Sequence, residues 1–215
     1  MDIKQLRSTI DDLFSKRTSW LSLLQEIAEN FYPERADFTL RRQLGDEFAS
    51  NLMTSYPVLC RRDLGDQIGA MLRQTAKPGF HIAPVDSDRE DNDAKRWLEY
   101  AETTQRRAMY APVTQFSRAM KEGDHDFAAF GQAVLSIRLN RHHNALLYRC
   151  FHLRDVVWME NEDGAICLIA RKWKPYSRNL YRIFGDKNHP SVKNLAETKP
   201  FDEMECYHVV VETDM

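Results

Sequence analysis

The chain has 215 residues, of which 43% are hydrophobic and 29% are charged, a balance that is typical of globular proteins. A chain of this length can bury about 70% of its unfolded surface, as one medium domain or two small ones. The 30 basic and 32 acidic residues give a formal net charge of −2. Any nucleic-acid contact must therefore come from a local patch rather than from the overall charge.

The four cysteines indicate reduced thiols rather than a disulfide or zinc framework. Cys60, Cys150, Cys167 and Cys206 are far apart and include no Cys-x-x-Cys pair. The N-terminus lacks the apolar core of a signal peptide, and the apolar runs are much shorter than the ~20 residues of a membrane span. We therefore expect a soluble intracellular protein without cofactor, metal or membrane segment.

Helical periodicity dominates the first 130 residues. Apolar residues three or four apart predict a helix to about residue 31, which Pro33 closes, with Arg17 inside the apolar stripe. The stripe consists of Ile3, Leu6, Ile10, Leu13, Trp20, Leu24, Ile27 and Phe31. The polar segment from Glu34 to Gly45 that follows is typical of a loop.

Three further helices are predicted before residue 131. The second begins near Pro57 and ends before Lys77-Pro78-Gly79, the third follows the acidic run from Asp86 to Asp93, and the fourth starts at Pro112. The faces expected to be buried are, in chain order, Leu64, Ile68, Met71 and Leu72; then Trp97, Ala101, Thr104 and Ala108; then Val113, Phe116, Met120, Phe127 and Phe130.

From Ala133 the apolar period changes to two, which predicts β-strands. The expected strands are Ala133–Leu139, Leu146–Phe151, Val156–Glu160, Ala165–Trp173 and Glu205–Glu212. Turns are predicted at Asn140–Asn144 and Asn161–Gly164, and a short helix at Ser177–Phe184 with Gly185 as its C-cap. Helices followed by mainly antiparallel strands and short helices indicate an α+β fold.

The triplet Asp124-His125-Asp126 raises the question of a metal site. Adjacent residues on a helix point about 100° apart, so these three cannot converge on one ion and would need distant partners. We interpret the triplet as part of a helix end, and His142-His143 as residues of a solvated turn. A cryptic metal-dependent hydrolase using Asp124, Asp126 and His143 is kept as an alternative.

Sequence motifs give no positive support for an enzyme. The chain contains no phosphate-binding loop, dinucleotide fingerprint, nucleophile elbow or His-Glu-x-x-His motif. Gly45-Asp46-Glu47-Phe48 shares letters with the cyclase signature but lacks its leading glycine and hairpin context. We therefore expect a protein without catalytic residues.

Clusters of basic residues offer a second functional class, a nucleic-acid-binding module. Basic pairs occur at Arg41-Arg42, Arg61-Arg62 and Arg106-Arg107. The densest cluster lies within residues 171–182 and consists of Arg171, Lys172, Lys174, Arg178 and Arg182, interleaved with Trp173, Tyr176 and Tyr181. Such a cluster can contact phosphates and bases, although charged residues on a strand edge and helix face are more often simply solvated.

Segments along nearly the whole chain resemble, in order, the motifs of one protein family. The opening helix with Trp20 runs into Phe31-Tyr32-Pro33-Glu34-Arg35, similar to a tryptophan-containing helix followed by a Pro-x-Arg loop. The next helix ends at Met71-Leu72 and leads to Phe80-His81-Ile82, with Gly79 where the family commonly has tryptophan.

The third and fourth segments lie in the second half of the chain. Asp126, Phe130, Gly131 and Ala133 resemble an Asp-x-x-x-Phe-Gly-x-Ala signature at which a helix turns into a strand. The fourth segment comprises Asp163-Gly164, Arg171-Lys172-Trp173, Phe184-Gly185 and Tyr207-His208-Val209-Val210. The family they resemble is that of the bacteriophage head-to-tail connecting proteins, the portal proteins of short-tailed phages.

The resemblance implies a structural virion protein. Such proteins form a dodecameric ring at one capsid vertex, through which the terminase motor pumps double-stranded DNA and through which the DNA is later ejected. Capsid protein, terminase and tail adaptor proteins are the partners that it implies, with synthesis in the host cytoplasm. It also implies that the part matched here belongs to the outer wing, with a helical segment 1–130 and a β-rich segment 131–215.

Portal chains are much longer than this one. Their channel-lining stem helices and their clip follow the matched region, and we expect both to be absent here. The chain is then either a truncated expression product or a naturally short gene product, and no channel residue is nominated.

Overall fold

The computed structural model describes residues 2–40, 42–43, 45–47, 49–50, 52–73, 79–84 and 91–212. Within these ranges the fold is α+β, as predicted, with two small antiparallel sheets. The helices are α1 Ile3–Lys16, α2 Thr18–Phe31, α3 Tyr56–Leu72, α4 Asn92–Tyr110, α5 Phe116–Phe130, α6 Ser177–Phe184 and α7 Pro190–Thr198. The strands are β1 Val134–Leu139, β2 Leu146–Phe151, β3 Val156–Glu160, β4 Ile166–Trp173 and β5 Cys206–Val211.

The chain forms two compact units, residues 1–18 with 154–215, and residues 19–153. The first is built on the sheet β3–β4–β5, in which both neighbouring pairs run antiparallel. Ile10 of α1 joins Val157, Leu168 and Ala170 in its core. Helices α6 and α7 pack together, and the buried Ser177 hydroxyl donates to the Lys199 carbonyl at 2.7 Å.

The second unit is organised around α5. Helix α3 packs along one side of α5, and the hairpin β1–β2 packs on another. One core cluster joins α2 to the loop after it, and it consists of Leu24, Ala28, Ala36, Phe38 and Leu153. A second cluster brings Phe116 and Ala119 of α5 against Tyr148 of β2. Helix α5 therefore lies at the centre of this unit.

The first predicted helix is two helices. The chain leaves the helix at Arg17, between α1 and α2. Arg17 donates a hydrogen bond to the Val156 carbonyl, and its guanidinium lies 5.8 Å from the Trp158 ring centroid. Burial lowers the pKa of Arg17 to about 10. The arginine that interrupts the apolar stripe is thus used for a tertiary contact rather than for helix propagation.

The predicted buried face of the second helix is wrong. Helix α3 begins at Tyr56, as expected from Pro57 at its first turn, but Leu64, Met71 and Leu72 are exposed and Ile68 is half-buried. The residues of α3 that are buried are Arg61 and Gly65. The face of α3 that packs inward is therefore the one with arginine and glycine and not the apolar one, because α5 supplies polar partners for it.

In helices α4 and α5, too, the predicted buried face differs from the face that is buried in the structure. Trp97, Thr104 and Ala108 of the predicted α4 face are exposed, and only Ala101 is half-buried. In the fourth predicted helix Val113 and Phe127 are exposed, whereas Phe116 is buried as predicted. The remaining members, Met120 and Phe130, are half-buried and pack against core clusters.

The strands and turns are confirmed within one residue at each end. Gly164 in the Asn161–Gly164 turn has φ +77°, and Gly185 caps α6 with φ +54°, conformations that favour glycine. Helix α7 was not predicted, because its segment is short and polar. Lys77, Pro78, Arg41, Phe48 and residues 86–90 lie outside the described residues.

Candidate functional site

The polar triplet lies at the centre of the second unit. Gly123, Asp124, His125 and Asp126 are four consecutive buried residues of α5. A helix turns by about 100° per residue, so successive side chains leave α5 in different directions. Each polar member of the triplet therefore meets a different part of the chain, and in each case the partner is an arginine.

Asp126 binds Arg35, which ends the short 3-10 turn Pro33–Arg35. Arg35 Nε donates to one carboxylate oxygen at 2.9 Å and a terminal nitrogen donates to the other at 2.7 Å. The Asp126 side chain is only 2% exposed. The Cys150 thiol lies 3.5 Å from the same carboxylate, and burial together with Asp126 raises the pKa of Cys150 to about 12. This thiol is therefore held as SH.

His125 binds Arg61 of α3. An Arg61 terminal nitrogen lies 2.9 Å from His125 Nδ1, and because arginine only donates, Nδ1 is the acceptor. In the neutral ring the proton is then on Nε2, which lies 3.4 Å from Asp66. Arg61 also donates to the Phe31 carbonyl at 3.2 Å and stacks 3.8 Å from the Tyr32 ring centroid.

Burial and the Arg61 guanidinium lower the pKa of His125, while the Asp66 carboxylate raises it by less. Because these two leading causes oppose the charged form, His125 is held neutral in the folded chain at neutral pH.

Asp124 forms an ion pair with Arg73, the C-cap residue that follows α3. Two glycines of α3 make room for this approach. A β-carbon at Gly69 would lie 2.9 Å from an Asp124 oxygen, and one at Gly65 would lie 2.9 Å from Cε1 of His125. The Gly65-x-x-x-Gly69 spacing therefore lets α3 pack closely on α5.

A cavity of about 940 Å³ lies between α3, α4 and α5, beside the Asp124–Arg73 pair. Charged groups of both signs line it, among them Arg107, Glu102 and the ion pair between Lys121 and Asp66, whose atoms are 3.0 Å apart. Its charges largely compensate one another.

The three hydrolase candidates are not brought together. Asp124 and Asp126 face different arginines, and His143 lies in the turn between β1 and β2. Over the described ranges no group of three histidine, cysteine or carboxylate side chains is arranged to hold a metal ion. The triplet forms two buried ion pairs, through Asp124 and Asp126, and one hydrogen bond between Arg61 and His125. These contacts hold segments together but offer no open coordination position.

The basic cluster 171–182 is divided among β4, the segment after it with Lys174, and α6. Arg171 lies over the Trp173 ring at 5.6 Å, and Lys172 pairs with Glu205 at 3.0 Å. The other members, Lys174, Arg178 and Arg182, are exposed. Fewer charges of this cluster are therefore available to contact phosphates than its sequence indicates.

Two of the apolar surfaces that are exposed among the described residues lie in the second unit. The α3 stripe consists of Cys60, Leu64, Ile68 and Met71, with Leu64 49% and Met71 76% exposed. The β1 apolar face consists of Leu135, Ile137 and Leu139, with Ile137 64% exposed.

The β1 apolar face continues the face by which β2 packs on α5. Ile137 is paired with Tyr148, which is buried against Phe116, so both side chains lie on the same side of the hairpin. Helix α5 covers β2 on that side and leaves the side chains of β1 largely open. Apolar surfaces of this kind mark sites of protein association.

Sequence reasoning found the triplet but missed its partners. Arg61 was named only as part of the basic pair Arg61-Arg62, and Arg73 and the two glycines were not singled out. The signal that could have found them is the Gly-x-x-x-Gly spacing on a helix whose neighbouring positions carry arginines.

No helix among the described residues is long and apolar enough to cross a membrane. Among curated protein sequences, none matches the chain. The sequence profile of one family, described as bacteriophage head to tail connecting protein, matches residues 3–214. This match spans nearly the whole chain, and the chain therefore belongs to the bacteriophage head-to-tail connecting proteins.

Proposed function

We propose that the chain is the wing portion of a portal, the ring at one capsid vertex through which DNA is packaged and ejected. The observation that carries this proposal is the family match over residues 3–214. In this proposal residues 1–130 are a helical wing segment and residues 131–215 a β-rich one. The natural-length protein forms a dodecamer and contacts capsid protein, terminase and tail adaptor proteins. Its role is structural rather than catalytic.

The exposed apolar surfaces support assembly with further copies. A ring requires two different surfaces on each subunit, one for each neighbour. The α3 stripe and the β1 apolar face are two such surfaces on one compact unit, and both would otherwise leave aliphatic side chains in water.

The two buried ion pairs and the Arg61–His125 hydrogen bond support a rigid subunit. Arg35, Arg61 and Arg73 join α3 and the loop after α2 to the central helix α5. Removing one partner from such a pair leaves a buried charge uncompensated, so the pairs fix one arrangement of these segments. A subunit that must repeat around a ring benefits from a single arrangement.

Electron microscopy of the natural-length gene product, purified without DNA, tests the proposal. We expect rings with a central hole, and class averages of end views give the number of subunits. A population of monomers and small oligomers would contradict the portal ring. The alternative function, a nucleic-acid-binding module that uses cluster 171–182, would then lead, and it predicts DNA binding that weakens steeply with salt.

A further inference from the structure

The hairpin β1–β2 carries only positive charge. Residues 133–152 contain no aspartate or glutamate. Their titratable basic side chains are Arg138, Arg141, Arg149, His142, His143 and His152. In a chain with a formal net charge of −2, a stretch of this length without an acid concentrates positive charge locally.

Two of these arginines lie side by side on one face of the hairpin. Arg149 is paired with Ser136, and Arg138 is two residues further along β1, so the arginines are diagonal neighbours. Both are exposed. Burial of part of the Arg149 side chain and the charge of Arg138 lower the pKa of Arg149. No carboxylate among the described residues forms a salt bridge with either arginine.

The tip of the hairpin adds to this face. The Asn140 side chain accepts hydrogen bonds from the backbone of His142 at 3.1 Å and of Asn144 at 3.2 Å. It also donates to the Asn144 side chain at 2.7 Å. This network fixes a turn from which Arg141, His142 and His143 are exposed. The tip therefore exposes these basic groups from a turn whose backbone is held by hydrogen bonds.

The basic groups lie on the side of the hairpin opposite the β1 apolar face. Leu135, Ile137 and Leu139 lie on the side that faces α5, whereas Arg138 and Arg149 lie on the opposite side. We call the surface of Arg138, Arg141 and Arg149 the hairpin basic face. Leu147 and Phe151 share this side but are half-buried, so the exposed groups on it are mainly guanidinium groups. Exposed cationic groups are more typical of a nucleic-acid interface than of a protein interface.

We propose that the hairpin basic face binds the phosphate backbone of double-stranded DNA. The identity of the polyanion rests on the proposed function, in which DNA passes the assembled ring. The contact needs no base recognition, because the guanidinium groups reach phosphate oxygens by charge-assisted hydrogen bonds. This surface is distinct from cluster 171–182, where Lys172 is already paired with Glu205.

The test measures binding of the full chain to a fluorescently labelled duplex of about 30 base pairs by anisotropy, at several salt concentrations. The variant combines Arg138→Gln, Arg141→Gln and Arg149→Gln. The matched control combines Lys174→Gln, Arg178→Gln and Arg182→Gln, which removes the same charge from exposed positions elsewhere. Circular dichroism melts establish that both variants are folded.

We expect the hairpin variant to bind DNA at least tenfold more weakly at low salt. The slope of log affinity against log salt should fall by about 2 to 3, since each lost phosphate contact removes about 0.9. The control should keep most of the affinity. A variant with lysine at the same three positions retains the charges, so it should keep the salt slope of the parent. It should also bind DNA more tightly than the glutamine variant, even if glutamine disturbs the hairpin.

Three results would overturn the inference. These are equal losses in both variants, no loss in the hairpin variant, or polyglutamate competing as well as DNA, which would make the surface an acidic-protein site. Electron microscopy of the natural-length product carrying the same three substitutions separates this inference from the proposed function. If rings form and the hairpin variant binds DNA as tightly as the parent, only the DNA contact is refuted. If the hairpin variant binds DNA more weakly and neither parent nor variant forms rings, only the portal ring is refuted.

Discussion

Arg35 and Asp126, 91 positions apart in the chain, form a two-bond ion pair at the centre of the second unit. Replacing Asp126 by alanine leaves the Arg35 charge partly buried without its partner. We expect Asp126→Ala to lower the free energy of unfolding by about 3 kcal/mol, measured by urea denaturation. The double variant Arg35→Met with Asp126→Leu should lose clearly less, and a single variant as stable as the parent would contradict this role.

The close approach of α3 to α5 makes Gly65 sensitive to a single methyl group. In an exposed helix, Gly→Ala is stabilising by about 1 kcal/mol. At Gly65 the added carbon would collide with the His125 ring, so we expect a net loss of about 1 to 2 kcal/mol in chemical denaturation. Gly123→Ala is the control, because its nearest neighbour is the movable Leu135 side chain at 3.3 Å. Equal effects at both glycines would argue against tight packing at Gly65.

Stability should fall as the pH is lowered through the range in which His125 titrates. The folded chain lowers the pKa of His125, whereas the unfolded chain takes up the proton near the ordinary value of about 6.5. Below that value the unfolded state binds more protons, so stability rises with pH there. His125→Gln keeps an acceptor for Arg61 but cannot titrate. The free energy of unfolding of the parent, measured from pH 7.5 to 5, should therefore fall more steeply than that of the variant. Parallel curves would exclude His125 as a source of the pH dependence.

The α3 stripe should matter for assembly more than for the stability of one chain. Leu64 and Met71 are already largely exposed, so Leu64→Ser and Met71→Ser should change the free energy of unfolding by less than about 1 kcal/mol. We expect the double variant of the natural-length product to form fewer rings in sedimentation and electron microscopy. Leu24→Ser, at a buried position, is the contrasting case that should destabilise the fold itself. Undiminished rings in the double stripe variant would place the subunit interface elsewhere.

The cysteines should differ in reactivity with a thiol reagent at pH 8. Cys60 is exposed on the α3 stripe, whereas burial and Asp126 raise the pKa of Cys150 to about 12. The thiolate is the reactive form, so Cys60 should label first and Cys150 only on unfolding. Cys60→Ser should remove the fast phase. A fast phase that persists in Cys60→Ser and disappears on adding Cys150→Ser would show that Cys150 is more accessible than the structure indicates.

The elements of the fold could be predicted because their signals are local. The strand alternation from Val134 onward and the turns at Asn140 and Asn161 are encoded within a few residues of one another, and the structure confirms them. The Asp126 to Ala133 signature, likewise local, marked the point at which α5 ends and β1 begins.

The contacts of the site could not be predicted in the same way. Periodicity shows that Leu64 and Met71 share an apolar face, but not which element covers it. The triplet of α5 was recognised as structural from its spacing, yet Arg35, Arg61 and Arg73 come from 51 to 91 positions away. Their meeting depends on how the segments pack.

The sequence by itself determined the fold class, the positions of most helices and strands, and the order of motifs that identifies the family. Backbone preference and apolar period act over a few residues, so one chain suffices to read them. Only the tertiary structure decided that α3 turns Arg61 and Gly65 inward and its apolar stripe outward. The buried charges of α5 require partners, and satisfying them costs less than burying them opposite aliphatic side chains.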